Sequence, residues 1–324
     1  MSSASQEVVL RGKRLTLSNL DKVLYPKAGF TKAQVIDYYL RAAPALLPHL
    51  RDRPLTLKRY PDGVDAPYFY EKNAPSHRPP WVKTAAVWSE HNEREMLFVL
   101  VQDAATLAWA ANLADLELHV PLHRHRDLDR PDSVVFDLDP GAPADLVQCC
   151  EVGLILRDAF ERLGLRTFAK VSGSKGLQLY VPLNTPVSYD ETKSFARAVA
   201  DGLAAQRPAL IVSNMKKSLR AGKVLVDWSQ NDPHKTTVCV YSLRARDRPT
   251  VSMPVTWPEI ERCHESGDPS LLSFESSTAL ARIEDKGDLF APLLSLKQSL
   301  PPATLDPKPK PRPKPAPRTL NPPK

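Results

Sequence analysis

Two aspartates, Asp137 and Asp139, close the apolar run Val134-Val135-Phe136-Asp137-Leu138-Asp139-Pro140-Gly141. Residues i and i+2 of a strand share a face and sit ~6.5–7 Å apart along it. Both carboxylates therefore point to one side, with Leu138 on the other, and can bind one divalent ion or share two. Acids in an apolar strand are costly to bury without a positive partner, and hard oxygen donors suit Mg2+ or Mn2+. A bare Asp-x-Asp is also a common solvated strand end, so its companions decide.

The first companion is the turn Ser172-Gly173-Ser174-Lys175-Gly176. Its glycines, hydroxyls and lysine let backbone N–H groups and an ammonium converge on phosphate. It is not a P-loop, because GxxxxGK[ST] is absent. The second is Lys216-Lys217-Ser218-Leu219-Arg220-Ala221-Gly222-Lys223, four cations leading into a strand that ends at Asp227. A charge run is usually a solvated face, but one that leads into a third acid suits a polyphosphate or nucleic-acid path. Lys58-Arg59-Tyr60, and Tyr68-Phe69-Tyr70 beside Lys72, add candidate phosphate and stacking contacts. His119, His123 and His125 invite a zinc reading, but no cysteine pair lies nearby and Pro121 interrupts any helical face. One of these histidines as an active-site group is the better expectation.

The elements that must position these residues follow from pattern. Thr31-Lys32-Ala33-Gln34 has capping-box form and opens a helix whose far end is blurred by Pro44 and Pro48. Asp103 caps a second helix reaching Leu113, and PLTLKRY and MLFVLV read as strands. From residue 133 the order is strand, helix (Ala144 to Leu163), strand (RTFAKV), strand (LQLYVPL), helix capped by Asp190, and strand (KVLVDWS). That β-α-β-β-α-β order is the ferredoxin-like or RRM-like unit. Its first and last strands lie side by side, which brings Asp227 beside Asp137 and Asp139. This holds if KVLVDWS, rather than the shorter LIVS before it, is the last strand.

The net charge of +7 is uneven: residues 301–324 hold six basic residues and one acid, leaving +2 for residues 1–300. This proline- and lysine-rich tail lacks the apolar residues to build a core and is expected to be a disordered arm. Charge alone therefore does not name a partner. No apolar run of 18 residues occurs, so no membrane span is expected. The N-terminus lacks the layout of a secretory signal. Cys149, Cys150, Cys239 and Cys263 form no CxxC pair, which fits reduced thiols in a cytoplasmic protein.

VVFDLDPG, SGSKGLQLYVPL, KSLRAGKVLVDWSQN and YSLRAR together resemble the polymerase domain of bacterial ATP-dependent DNA ligase D, in the archaeo-eukaryotic primase superfamily. LTLSNLDKVLYP, RPLTLKRYPDGVD and LELHVP match in the expected order, so the likeness spans about residues 10–295. It implies an α/β (α+β) primase-polymerase fold over residues 1–300, with a mixed N-terminal module to about residue 125 packed on the RRM-like catalytic module. It also implies an end-directed nucleotidyltransferase of non-homologous end joining that adds NTPs or dNTPs, ribonucleotides preferred, to 3′ ends with two Mn2+ or Mg2+ ions. Its DNA would be gapped or overhanging duplex with a 5′-phosphate, with Ku and a separate DNA ligase as partners in a bacterial cytoplasm.

By this resemblance Asp137, Asp139 and Asp227 are the metal ligands and His119 is the active-site histidine. Lys58, Ser172, Lys175, Arg220 and Arg244 serve the incoming triphosphate, Phe69 stacks, and Asn19, Lys22 and Lys32 read the 5′-phosphate. The family usually has SGSKGLH, where this chain has Gln178, which removes a positive charge expected near the triphosphate. TTVCV also stands where TTxAP is usual. Two other readings remain. VVFDLDPG resembles the first motif of haloacid-dehalogenase phosphatases, though Pro140-Gly141 replaces Gly-Thr. A DNA end-bridging module with decayed catalysis is the other. No KxDG motif occurs, so a ligase is expected elsewhere.

Overall fold

The computed structural model describes residues 5–89 and 92–301, so the tail inferred from sequence lies, from residue 302 onward, outside the described residues. β1 (Ser5–Leu10) and β2 (Lys13–Ser18) form a hairpin, and β3 (Val23–Tyr25) pairs with β4 (Phe30–Thr31). The expected capping box opens α1 (Lys32–Leu50): Gln34 N donates to Thr31 Oγ1 at 3.4 Å and Thr31 N donates to Gln34 Oε1 at 2.8 Å. α1 runs through Pro44 and Pro48, because burial of Tyr39, Ala42, Leu46 and Leu50 along one face outweighs the backbone bonds that proline removes.

The first sheet is built from β5 (Pro54–Arg59), β6 (Phe69–Glu71), β7 (Thr84–Ser89) and β8 (Arg94–Leu100). After α2 (Ala104–Asn112), capped by Asp103 as expected, it takes in β9 (Asp115–Val120). β5 is its hub: one edge pairs with β9, and the other pairs with β8 through Pro54 and Leu55, then with β6 through Leu57 to Arg59.

The second sheet begins with β10 (Ser133–Pro140), followed by α3 (Leu146–Arg162), β11 (Phe168–Val171), β12 (Leu177–Pro182) and α4 (Tyr189–Gln206). Ser188, not Asp190, caps α4, accepting from Glu191 N at 3.2 Å; Asp190 falls in the first turn. Both strands in question at the end of the unit form. β13 (Ile211–Val212) lies parallel at the outer edge of β14 (Val224–Asp227), and β14 pairs with β10. The order β14-β10-β12-β11 is that of a ferredoxin-like unit.

α3 and α4 cover one face, where Phe136 meets Phe160 at 5.2 Å between ring centroids and Phe160 meets Phe195 at 6.1 Å. Asp137 and Asp139, one residue out of phase with Phe136, face the other side. The chain then crosses back. β15 (Thr237–Val238) joins β9 of the first sheet, β16 (Pro254–Val255) joins β11 of the second, and α5 (Trp257–Ser266) and α6 (Ser276–Lys286) follow. One apolar cluster runs through both sheets, from Leu57 and Leu118 to Phe136 and Leu179.

Candidate active site

Strand register lays four polar residues in one row across the second sheet. Asp227 pairs with Asp137, Asp137 with Gln178, and Gln178 with Lys170. Burial, reinforced by Asp227 and opposed by a hydrogen bond from Gln178, raises the Asp137 carboxyl to about 6. At the far end of the row Lys170 is 1% exposed, its Nζ donating to Gln178 Oε1 and Ser252 Oγ, each at 2.6 Å. Burial, with Arg244 nearby, pulls this ammonium down to about 7. Gln178 was expected near a triphosphate. In the structure it stands buried between Lys170 and Asp137, accepting from Lys170 Nζ.

The third acid is the exposed one. Asp139 lies 3.5 Å from Arg220 Nη1, while Asp227 caps the short helical turn after β14, accepting from Ser229 N at 2.8 Å and Gln230 Nε2 at 3.1 Å. Among the described residues no three His, Cys, Asp or Glu side chains converge as a ready ion cage. The backbone nevertheless suits one. Asp137 and Asp227 are registered partners, whose Cα atoms stand ~4.5–5.5 Å apart in such ladders, so side-chain rotation alone brings the carboxylates together. The donors are all carboxylate oxygens, and the repulsion between Asp227 and a half-buried Asp137 is what a hard cation would relieve.

Two glycines bring the basic loops onto this row. A Cβ on Gly176 would sit 2.2 Å from the carbonyl oxygen of Leu138, so only glycine lets the Ser172–Gly176 turn lie against the Asp-Leu-Asp strand. A Cβ on Gly141 would meet the Arg220 carbonyl oxygen at 2.0 Å, and Gly141 N and O are bonded to Lys223 O and Gly222 N. Pro140-Gly141 is thus the seat of the Arg220 loop. Within the turn, Ser172 Oγ accepts from Gly176 N at 3.2 Å, Ser172 O accepts from Arg244 Nη1 at 2.5 Å, and Lys175 stands exposed. Arg220 Nε and Arg244 Nε are buried without a hydrogen-bond partner among the described residues. Each guanidinium also has a carboxylate close by, Glu117 at 3.4 Å from Arg244 Nε and Asp139 at 3.5 Å from Arg220 Nη1, which holds the two arginines beside the Gly/Ser turn.

Arg244 also reaches the first sheet, where Glu117 gathers the remaining cations. Glu117 is 2% exposed and accepts from Lys58 Nζ, His119 Nε2 and Ala245 N, each at 3.0 Å, with Arg244 Nε 3.4 Å away. Burial alone would raise its pKa, but His119, Arg244 and Lys58 together hold it well below the usual carboxylate range. Burial lowers the His119 pKa against the pull of Glu117.

Lys58 Nζ lies 4.6 Å from the ring centre of Tyr68, 5.4 Å from Tyr60 and 5.7 Å from Tyr70. Phe69, the expected stacking residue, turns the other way, over Arg59 at 5.2 Å. Within β6, alternation turns Tyr70 toward Lys58 and Phe69 toward Arg59, and Tyr68, just before the strand, also lies against Lys58. The other two histidines are dispersed: His123 Nδ1 meets the Tyr189 hydroxyl at 2.9 Å, and His125 lies beside Asp52.

Asn19, Lys22 and Lys32 do meet. Asn19 takes a left-handed turn (φ 53°), Lys22 N donates to its carbonyl at 3.1 Å, and Lys32 N donates to Lys22 O at 2.9 Å. Lys22 pairs with Asp62 at 2.7 Å, while the Lys32 side chain is buried with no carboxylate partner among the described residues. Burial, with Lys22 and Arg59 nearby, lowers the Lys32 pKa to about 8. A groove of about 610 Å³ opens beside Asn19 and Lys22.

The sequence reading passed over Glu117 and Lys170, and named Tyr68 and Tyr70 only within the aromatic group from which Phe69 was chosen. A charged residue inside an apolar strand marked Asp137, and the same signal stands in LELHV and FAKV.

Residues 31–290 match the family described as LigD, primase-polymerase domain. The chain is 44% identical over 285 residues to the multifunctional non-homologous end joining protein LigD of Mycolicibacterium smegmatis, an alignment covering 87% of this chain and 36% of that protein. It is 31% identical over 275 residues to the bifunctional non-homologous end joining protein LigD of Bacillus subtilis, covering 85% of this chain and 43% of the relative. The chain thus spans well under half the length of these curated relatives. The solved polymerase domain from Mycobacterium tuberculosis ligase D in complex with DNA superposes with a TM-score of 0.81 at 42% identity, covering 88% of this chain and 99% of that one. The chain belongs to the LigD primase-polymerase domain family, a family of DNA-directed nucleotidyltransferases.

Proposed function

We propose that this chain adds nucleotides, ribonucleotides in preference, to DNA 3′ ends and fills gaps during non-homologous end joining. The observation that carries the reading is the pairing of Asp137 with Asp227 while Gly176 seats the Ser172–Gly176 turn on the Leu138 carbonyl. That arrangement brings a Gly/Ser turn with an exposed lysine, together with Arg220 and Arg244, beside a row of carboxylates, which supports a metal-triphosphate site. Asp137, Asp139 and Asp227 would hold two Mn2+ or Mg2+ ions. Such ions, when bound, acidify a 3′-hydroxyl and stabilise a pyrophosphate leaving group.

The chain's own residues do the rest. Lys175, Arg220 and Arg244 bind the triphosphate and offset charge on its oxygens. Lys58 and His119, fixed by Glu117, orient the nucleotide. Tyr68 and Tyr70 offer faces for stacking. Asn19, Lys22 and Lys32 receive a downstream 5′-phosphate, which makes a gapped or overhanging end the preferred DNA. Ku and a ligase are the expected partners in a bacterial cytoplasm.

The test is gap filling on 5′-phosphorylated and 5′-hydroxyl templates with ribo- or deoxynucleotides in Mn2+ or Mg2+. Faster ribonucleotide addition on the phosphorylated gap is expected. Binding of the DNA without metal-dependent extension would replace this reading with the end-bridging one.

A further inference from the structure

A second cationic feature lies outside the site. A mostly polar groove of about 710 Å³ opens where β5, β7 and β8 begin or end, lined by Asp52, Arg78, Lys83, Gln102, His125 and Arg126 among others. The carboxylates nearby are already engaged. Asp52 accepts from Gln102 Nε2 at 2.7 Å with His125 at 3.9 Å, and Asp132 is paired with Arg53 and Arg124. Arg78, Lys83 and Arg126 have no carboxylate within ion-pair distance among the described residues. Three uncompensated cations along one polar groove, with no deep apolar slot for a ring or an acyl chain, select a ligand that carries several separated anionic charges.

The groove's position narrows that ligand. It lies at the Pro54–Leu100 end of the β5–β8 pair, four residues along β5 from Lys58. At ~3.3 Å per residue this is ~13 Å along the strand, the length of about four base pairs of duplex. A duplex whose end is held near Lys58 and which runs along β5 toward Pro54 brings its backbone phosphates to Arg78, Lys83 and Arg126.

We propose that this groove is a second DNA-backbone site, gripping phosphates of the duplex about four to six base pairs from the end being extended. The proposal rests on the reading of the chain as a DNA-end polymerase and adds a contact that reading does not need. The site is sequence-independent, because arginine and lysine on phosphate oxygens read charge and spacing rather than bases.

The test compares wild type with the triple variant Arg78→Ala, Lys83→Ala, Arg126→Ala, using fluorescence anisotropy on a 24-base-pair duplex that carries a 5′-phosphorylated gap, across a salt series. A control triple, Arg162→Ala, Arg207→Ala, Arg262→Ala, removes equal charge from exposed positions elsewhere. Each duplex phosphate contact contributes ~0.9 to the slope of log K against log salt, so the groove variant should lose ~2–3 from that slope. The control should lose less than ~1, and nucleotide KM in extension should not change. Unaltered melting temperatures establish that both variants fold. A groove variant whose slope matches wild type, or a control that loses as much, overturns the proposal while leaving the polymerase reading intact. Wild type that binds no duplex overturns both.

Discussion

Glu117→Gln isolates the one carboxylate on which Lys58, His119 and Arg244 converge. The substitution keeps size and one acceptor oxygen but removes the charge and turns an amide donor toward cations. Glu117 is 2% exposed and the Lys58 and Arg244 side chains are 11% and 14% exposed, so solvent does little to replace the lost partner. Removing one member of a buried ion pair costs ~3–5 kcal/mol, and the retained acceptor argues for the low end. At ~2 °C per kcal/mol for a chain of this length, melting should fall by ~6 °C.

The kinetic effect separates two physical pictures. If Glu117 mainly dilutes the positive field, its loss tightens nucleotide binding. If it holds Lys58 and Arg244 in place, nucleotide KM rises by ~10-fold or more, the worth of one charge-assisted contact. The structure supports the second, because Lys58 and His119 both bond to the same carboxylate oxygen. Thermal unfolding and steady-state nucleotide addition at saturating DNA read both quantities. Unchanged melting with an unchanged or lower KM would refute the reasoning.

Three further outcomes follow from single residues. Lys32 carries a pKa lowered to about 8, so preference for a 5′-phosphate over a 5′-hydroxyl should weaken as pH rises through about 8. Lys32→Arg, which stays charged, should flatten that profile in end-binding assays. Lys170 has a folded pKa of about 7 against 10.5 for free lysine, so between those values the unfolded chain binds more protons and this residue makes stability rise with pH. Urea unfolding of Lys170→Met should lack that rise. Gly176→Ala forces a Cβ against the Leu138 carbonyl and should cost at least ~2 kcal/mol, measurable as a fall in urea midpoint together with lost nucleotide addition.

Much of the site was legible in the sequence because strand periodicity is strict. The i, i+2 spacing put Asp137 and Asp139 on one face, and the β-α-β-β-α-β order put Asp227 beside them, as β10 and β14 bear out. Side-chain direction along short strands was less legible. Tyr68-Phe69-Tyr70 reads as three equivalent aromatics, and only pairing with β5 reveals that Phe69 faces Arg59. The cross-strand neighbours of Gln178, Asp137 and Lys170, were not legible because they are set by register rather than by nearby sequence. The return of β15 to the first sheet was invisible for the same reason: two residues carry no periodicity. Capping at Ser188 rather than Asp190 is a two-residue choice between two good capping residues.

Asp137 and Asp227 are proposed to hold the ions used to add nucleotides to a DNA end. Asp137→Asn and Asp227→Asn, measured for Mn2+ binding by titration calorimetry and for 3′ nucleotide addition on a gapped duplex, test it most directly. Weakened Mn2+ binding and addition slowed by ~10³-fold or more, with DNA affinity kept, are expected. Either variant extending the primer at the wild-type rate would contradict it.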